Sequence, residues 1–293
     1  MDVVRVAAFL LLVGCNQVFG LESTELVEFD DDGDGVGNVE DNCRTVGNPG
    51  QIDRDGDGVG DSCDNCPLAP NTDQAAIGDG DALGDACDPH PDQSGDCVVL
   101  YDTFSEPERF AEGWGAPPAG TSHVDGHARL DTGSRLALFA RGNDGAMLTD
   151  QYDVELLVSI AAPRFGGRIG AVTSATPQSG SWCSLFTADN ERDRARVSAF
   201  AGPSDTTLRF LTSGSHGPLA SLRLEHHIDQ IIGSARTYCR VDYGIALGIT
   251  GGIDGTLPAG GSGLVIESLA ADIYGIALTS FEPGATCGEP IIR

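Results

Sequence analysis

Aspartates with a repeated spacing are the residues of this chain best suited to chemistry. In DRDGDGVGDSCDNC, from Asp53 to Cys66, three aspartates alternate ahead of Gly58 and two more follow. A hard divalent cation takes about six to eight oxygen ligands. A loop supplies them when alternate residues point inward, one carbonyl fills a gap and a glycine permits a sharp turn. We therefore predict a calcium loop with these ligands: Asp53, Asp55, Asp57, the carbonyl of Val59, Asp61 and Asp64.

The same pattern occurs twice more. DDDGDGVGNVEDNC, from Asp30 to Cys43, repeats it in full. IGDGDALGDACD, from Ile77 to Asp88, is incomplete, because Ile77 occupies the first ligand position and Ala82 the glycine position. We expect this third loop to bind more weakly or to borrow a ligand. The predicted ligands of the first loop are Asp30, Asp32, Asp34, the carbonyl of Val36, Asn38 and Asp41. Those of the third loop are Asp79, Asp81, Asp85 and Asp88.

The charge distribution agrees with cation binding. The chain has 44 acidic residues against 17 lysines and arginines, a formal charge of -27, which excludes nucleic acid as an expected partner. Between Glu22 and Asp96, 21 residues are acidic, and the lysines and arginines are only Arg44 and Arg54. Because this segment has few apolar side chains, its carboxylates would repel one another without divalent ions. We expect a metal-dependent fold.

A longer motif surrounds these loops. The string DxDxDGxGDxCDNCPxxxNxxQ, from Asp53 to Gln74, resembles thrombospondin type 3 repeats, and the resemblance covers residues 30–88. It implies that calcium ions form the core of the segment and that consecutive cysteines pair, Cys43 with Cys63 and Cys66 with Cys87. Two alternatives are an acidic linker without specific sites and a dockerin-like pair that binds another module. A linker would not keep aspartate, glycine and cysteine in register three times, and dockerins lack these cysteines and need apolar helices.

The N-terminus, MDVVRVAAFLLLVGC, has the features of a targeting segment. Its apolar run, from Val6 to Val13, is too short to span a bilayer. Leu12-Val13-Gly14-Cys15 resembles the lipobox of bacterial lipoproteins, which implies a signal peptide over residues 1–15, a lipid on Cys15 and attachment to a membrane. Asn16 favours the outer membrane or cell surface. A linker over residues 16–29 would follow. The alternative is a buried strand or a free thiol.

The rest of the chain, residues 97–293, has the pattern of a β domain. Apolar residues alternate from Tyr152 to Ile160, and similar runs are separated by Gly, Pro, Ser and Asp, without a convincing long helix. The runs favour a β-sandwich. YDTFSEPERFAEGW and GSGLVIESLAADIYGIALTSFE resemble the first and last strands of concanavalin A-like and laminin G-like jelly rolls. The other predicted strands are 135–140, 168–174, 182–187, 194–200, 206–211, 237–241, 244–249, 263–266 and 273–281.

The cysteine count fits an oxidising compartment. Nine cysteines are present, and assigning Cys15 to lipid leaves eight, four in residues 30–96 and four in residues 97–293. In a jelly roll the first and last strands lie side by side, which would bring Cys97 close to Cys287. Cys183 and Cys239 would then form the second pair. Four cysteines allow three connectivities, so position alone supports this assignment.

Catalysis is not expected from the motifs present. No ExDxxE, GxSxG, HExxH or phosphate-binding string occurs. Asp153 and Glu155 lie on the polar face of a predicted strand, where we expect them to be solvated. His226 and His227 are adjacent, so in a strand they point to opposite faces.

Together these features predict a mostly β, calcium-binding, lipid-anchored envelope protein. Residues 30–96 would form an irregular, calcium-filled spacer that presents the sandwich of residues 97–293. The sandwich would bind glycan or another envelope protein. The alternatives are a polysaccharide hydrolase or lyase on the same fold and a purely structural outer-membrane component.

Overall fold

The computed structural model describes residues 29–149 except 79, together with 152–162, 166–176, 179–188, 191–201, 204–212, 220–229, 234–242, 252–254, 260–281, 287–288 and 290–293. The predicted signal peptide, Cys15 and the predicted linker up to residue 28 lie outside these ranges, as do Asp79 and the predicted strand 244–249. Among the described residues, no helix is long and apolar enough to cross a membrane.

The described part of the chain is mostly β. A single 3-10 turn, Pro107–Arg109, leads into a short helix, α1, Phe110–Trp114. Fifteen strands are described. They are β1 Asp96–Asp102, β2 Thr121–Val124, β3 His127–Thr132, β4 Leu136–Phe139, β5 Asp153–Ala162, β6 Arg168–Thr176, β7 Ser179–Ala188, β8 Glu191–Ala201, β9 Ser204–Thr212, β10 Ala220–Asp229, β11 Ser234–Asp242, β12 Gly252–Asp254, β13 Gly261–Glu267, β14 Leu269–Phe281 and β15 Ile291–Ile292.

The strands form two sheets that pack as a β-sandwich, as the sequence predicts. One sheet has the order β12-β11-β10-β5-β14-β1-β15, with β3 paired to β14 and β2 paired to β3. The other has the order β4-β13-β6-β7-β8-β9. Strand β1 runs antiparallel to β14, with Cys97 opposite Ser280. The prediction that the first strand of the domain lies beside one of the last is therefore confirmed.

The core between the sheets follows from alternation along the strands. In β5, Val154, Leu156 and Val158 are each 0% exposed and belong to one apolar cluster. Residues from both sheets complete this cluster, including Ile273 of β14 and Ile169 of β6. Successive side chains of a strand point to opposite faces, so Asp153, Glu155 and Leu157 lie on the other face of the sheet.

The described residues from 29 to 95 include no helix or strand, and the chain divides at Ile52 and Asp53 into two compact units. The first loop belongs to the N-terminal unit. The second and third loops belong to the unit that contains the sandwich. The predicted repeat segment, residues 30–96, therefore contributes to both units.

Candidate metal centres

The second loop is built around the carboxylate of Asp53. Its Oδ1 accepts a hydrogen bond from the Gly56 amide at 2.8 Å, and its Oδ2 accepts one from the Gly58 amide at 2.9 Å. Both glycines have positive φ, 78° and 95°, a region that glycine adopts without steric cost. The carboxylates of Asp53, Asp55 and Asp57 approach within 4.8 Å of one another as a result.

The first loop has the same geometry. Asp30 accepts hydrogen bonds from the amides of Gly33 and Gly35 at 2.7 and 3.0 Å. The carboxylates of Asp30, Asp32 and Asp34 also lie within 4.8 Å of one another. The structure therefore brings loop positions 1, 3 and 5 together in both complete loops.

Buried carboxylate oxygens show that these loops fit a cation. Among the described residues, Oδ2 of Asp32, Asp41 and Asp55 is buried and has no hydrogen-bond partner. An unpaired carboxylate oxygen is costly to bury. A divalent cation would satisfy these oxygens and neutralise the surrounding charge.

The electrostatics of the second loop point the same way. Burial raises the pKa of Asp55 to about 8, and the neighbouring charges of Asp57 and Asp64 add to the rise. Burial also raises the pKa of Asp64. In the first loop, burial raises the pKa of Asp32. Without a cation these groups therefore favour the protonated form at acidic pH, and a bound cation would favour their ionised form.

The ninth loop position has a structural role in both complete loops. Oδ1 of Asn38 accepts a hydrogen bond from the Asp31 amide at 3.0 Å, and Oδ1 of Asp61 accepts one from the Arg54 amide at 3.0 Å. Each bond closes the loop across seven residues. The predicted ligation by Asn38 and Asp61 stays a prediction, as does ligation through the carbonyls of Val36 and Val59.

The aspartate at the twelfth loop position is hydrogen-bonded to a glutamine to which the sequence analysis assigned no role. Gln74 donates from Nε2 to Oδ1 of Asp64 at 2.7 Å, and its Oε1 accepts from the Asn65 amide at 2.9 Å. Gln51 makes the same two contacts with Asp41 and Asn42, both at 2.8 Å. The signal was present in the sequence, because each glutamine follows its aspartate by ten residues.

The third loop brings in an aspartate that the sequence reasoning missed. The carboxylates of Asp81 and Asp88 lie within 4.8 Å of the carboxylate of Asp96, which is 1% exposed and begins β1. Oδ2 of Asp81 accepts hydrogen bonds from the amides of Gly95 and Asp96 at 3.2 Å. The predicted ligand Asp85 accepts a hydrogen bond from the Ile77 amide at 2.8 Å, and its ligation stays a prediction.

The second and third loops pack against the outer face of the nine-stranded sheet. Leu68 is 1% exposed and clusters with Tyr101 of β1 and Leu157 of β5. Gly275 of β14 leaves room for this contact, because a Cβ there would lie 2.6 Å from Cδ2 of Leu68. A cavity of about 340 Å³ remains beside Leu68.

This packing overturns one expectation about the sandwich. Asp153 and Glu155 were expected to be solvated, but they are only 6% and 8% exposed. They lie on the face of β5 that the repeats cover, and Glu155 lines the cavity together with Asp61 and Asp64. A sequence pattern of alternation identifies the polar face of a strand, but it does not show what packs on that face.

Two of the predicted disulfides are described directly. Cys66 is bonded to Cys87, with a Cα–Cα distance of 5.5 Å, and Cys97 is bonded to Cys287, with a Cα–Cα distance of 5.2 Å. Both pairings confirm the predictions. Cys43, Cys63 and Cys183 are also disulfide-bonded. Their predicted pairings, Cys43 with Cys63 and Cys183 with Cys239, stay predictions. The side chain of Cys239 lies outside the described part.

Comparison with known protein families agrees with the loop geometry. Residues 28–51 and 52–74 each match the thrombospondin type 3 repeat. The first and second acidic loops are therefore similar to this family of repeats. Residues 75–96, which contain the third loop, lie beyond the two matched ranges. A comparison with curated protein sequences found no match.

Solved structures resemble the sandwich at low identity. The carbohydrate-binding module CBM66 from Bacillus subtilis is 11% identical, with a TM-score of 0.42, and the match covers 64% of this chain and 97% of the module. The GH43 protein BlXynB from Bacillus licheniformis is 15% identical, with a TM-score of 0.46, and the match covers 62% of this chain and 39% of that protein. A functionally unknown protein from Saccharomyces cerevisiae is 11% identical, with a TM-score of 0.38, over 60% of this chain and 99% of its own. At these scores the likenesses carry no information about a ligand or a reaction.

Proposed function

We propose that this chain is a calcium-binding protein of the cell envelope, in which Ca²⁺ stabilises the acidic repeats. The observation that carries the proposal is the set of buried, unpartnered Oδ2 atoms of Asp32, Asp41 and Asp55 inside loops that match type 3 repeats. Calcium would be held by the carboxylates at loop positions 1, 3, 5 and 12. When bound, it supplies positive charge that offsets carboxylate repulsion.

The chain's own groups prepare these sites before a cation arrives. Amides of the loop glycines hold Asp30 and Asp53, and these bonds lower the pKa of Asp30. Gln51 and Gln74 orient the carboxylates of Asp41 and Asp64. The remaining carboxylate oxygens of each loop are thereby left for the metal. This preorganisation reduces the entropy that binding would otherwise cost.

Isothermal titration calorimetry of the full mature chain tests the proposal. Titrating Ca²⁺ into chelator-treated protein is expected to give saturable heat. The double variant Asp32→Asn and Asp55→Asn should lose most of it, because each change removes a ligand charge. Asp92→Asn removes the same charge from an exposed residue and should leave the heat unchanged. Equal heat for the double variant and the wild type would contradict the proposal.

We further propose that a lipid on Cys15 anchors the mature chain to the outer membrane or cell surface. The lipobox-like Leu12-Val13-Gly14-Cys15 supports this location, and the disulfides Cys66–Cys87 and Cys97–Cys287 agree with export to an oxidising compartment. Cys15→Ala should move the protein from the membrane fraction to the soluble fraction. Mass spectrometry of the mature N-terminus checks the modification. An unmodified, uncleaved N-terminus in the wild type would contradict the anchor.

The role proposed for the sandwich is binding of a glycan or an envelope protein. Sandwiches of this architecture serve as binding modules as well as enzymes, and the sequence lacks the paired-carboxylate string of the related hydrolases. A glycan array with the full calcium-loaded chain tests binding. An activity screen on complex polysaccharides tests the rival proposal of a hydrolase or lyase. Any spacer function falls to the segment before Asp53, since the later repeats pack on the sandwich.

A further inference from the structure

Arg54 connects the second calcium loop to the sandwich. It lies between Asp53 and Asp55 in the sequence, and its side chain is buried, at 6% exposure. Nε donates to the carbonyl of Tyr274 in β14 at 2.7 Å, and Nη2 donates to the carbonyl of Thr103, just after β1, at 3.4 Å. A buried guanidinium needs such partners.

Asp61 completes the connection. Its Oδ2 pairs with the Arg54 guanidinium and accepts a hydrogen bond from the hydroxyl of Tyr101 at 3.1 Å. Its Oδ1 closes the loop by accepting the Arg54 amide. One carboxylate therefore joins the backbone of the calcium loop to a residue of β1. Burial raises the pKa of Asp61, and the charge of Arg54 opposes that rise.

The first loop lacks this pair of residues. At the positions of Arg54 and Asp61 it has Asp31 and Asn38, and it belongs to the other compact unit. Asn38 still closes its loop through the Asp31 amide. The ion pair is thus a feature added to the second loop beyond what closing the loop requires.

We infer that Arg54 and Asp61 couple calcium binding in the second loop to the folding of the sandwich. The inference rests on the proposed calcium binding. A ligand that orders the loop stabilises whatever the ordered loop packs on, and the coupling is reciprocal. Calcium at this loop therefore raises the unfolding temperature of the sandwich, and docking on the sandwich strengthens calcium binding. Arg54 acts as a positioning residue, because its guanidinium acts on the site through Asp61 and the strand carbonyls.

Tryptophan fluorescence of the full chain measures this coupling. The two tryptophans, Trp114 and Trp182, are both buried in the sandwich, at 4% and 0% exposure, so their transition reports sandwich unfolding. At free Ca²⁺ about 100 times the Kd, we expect a rise in Tm on the order of 5–10 °C over the EGTA-treated protein. Arg54→Gln should remove at least half of that calcium-induced rise.

Matched variants separate coupling from general destabilisation. Arg44→Gln makes the same change at an exposed arginine of the repeats and should keep the full rise. Asp55→Asn should reduce the rise, whereas Asp32→Asn, in the first loop, should not. Tyr101→Phe keeps the packed ring, removes only the hydrogen bond to Asp61 and should reduce the rise by less than Arg54→Gln. Because each rise is a difference between calcium and EGTA for one variant, a lower baseline Tm does not mimic it.

The outcomes distinguish this inference from the proposed function. If calorimetry detects Ca²⁺ binding but the tryptophan transition does not move, or moves as far in Arg54→Gln as in the wild type, the coupling is wrong and calcium binding stands. If no heat of Ca²⁺ binding is detected at all, the proposed function itself fails. A rise reduced in Arg54→Gln and Asp55→Asn, and kept in Arg44→Gln and Asp32→Asn, supports the inference.

Discussion

The sandwich of this chain has an apolar interior, whereas the interior of each complete repeat loop is a cluster of carboxylates. Between the two sheets, side chains such as Leu156 and Ile273 are fully buried, and the hydrophobic effect supplies the stabilising free energy. At the centre of each complete loop, three carboxylates converge within 4.8 Å, an arrangement that repels itself until a cation enters. One region is stable through its own residues, and the other depends on a component from solution.

The largest expected difference between the regions is their response to chelation. With EGTA, residues 29–52 should become sensitive to protease, because the loop carboxylates then repel one another, while the sandwich strands should stay resistant. Limited proteolysis followed by mass spectrometry locates the cuts. Adding Ca²⁺ back should restore resistance, and adding Na⁺ at equal ionic strength should not. Identical cleavage maps with and without EGTA would contradict the predicted difference between the repeats and the sandwich.

A substitution in the core of the sandwich should have an effect that does not depend on calcium. Leu156→Ala leaves a cavity between the sheets and should lower the free energy of unfolding by about 2–5 kcal/mol, whether or not calcium is present. Urea denaturation followed by tryptophan fluorescence measures the change. Val39→Ala, at a residue 81% exposed, is the matched control and should change it by less than about 0.5 kcal/mol. A Leu156→Ala effect that disappeared in calcium would mean that the two interiors are not separate.

Replacing Gln74, which contacts the twelfth-position aspartate Asp64, should have a smaller effect. Gln74→Ala removes hydrogen bonds to Asp64 and Asn65, so calcium binding in the second loop should weaken by about 2 kcal/mol, since one bond goes to a charged group. Calorimetry measures the affinity. Gln93→Ala changes an exposed glutamine and should have no effect. An unchanged affinity in Gln74→Ala would show that Asp64 needs no support.

The last expected difference is a dependence on pH. The pKa of Asp55 is raised from 3.8 to about 8 without metal, so its contribution to stability is full below pH 3.8 and is lost as pH rises towards 8. Calcium needs the ionised carboxylate, so its affinity should increase over the same interval, by at most about tenfold per pH unit. Thermal melts in EGTA and calcium titrations at pH 5, 6, 7 and 8 check both trends. Stability in EGTA that rose with pH, or a calcium affinity that fell with pH, would contradict the assignment of Asp55.

Much of this organisation could be predicted from the sequence because it is local. The alternation in β5 predicts which of its residues face the core, and the Asp-x-Asp-x-Asp-Gly pattern predicts which carboxylates converge. The resemblance to jelly rolls predicts the neighbouring first and last strands, and with them the Cys97–Cys287 bond. In each case, a short stretch of sequence or a known arrangement of strands determines the geometry.

The contacts between the repeats and the sandwich could not be predicted, because they join residues far apart in the sequence. The bond from Arg54 to Tyr274 spans 220 residues, and Asp96 joins the third loop only because β1 begins there. Two residues of the repeats, Arg54 and Leu68, are unusual for their surroundings in the sequence. Arg54 is a basic residue inside an acidic loop, and Leu68 is apolar in a segment that otherwise has little to bury. Both features are better explained by a docking surface than by a solvated spacer.

Hydrogen exchange of the full chain with and without calcium tests most directly whether cations replace an apolar core in the repeats. The amides of Gly33, Gly35, Gly56 and Gly58 are hydrogen-bonded to Asp30 and Asp53, and the strands β5 and β14 provide an internal reference. The account predicts that calcium slows exchange of the four glycine amides far more than exchange of the strand amides. Equal exchange of these glycine amides in calcium and in EGTA would contradict it.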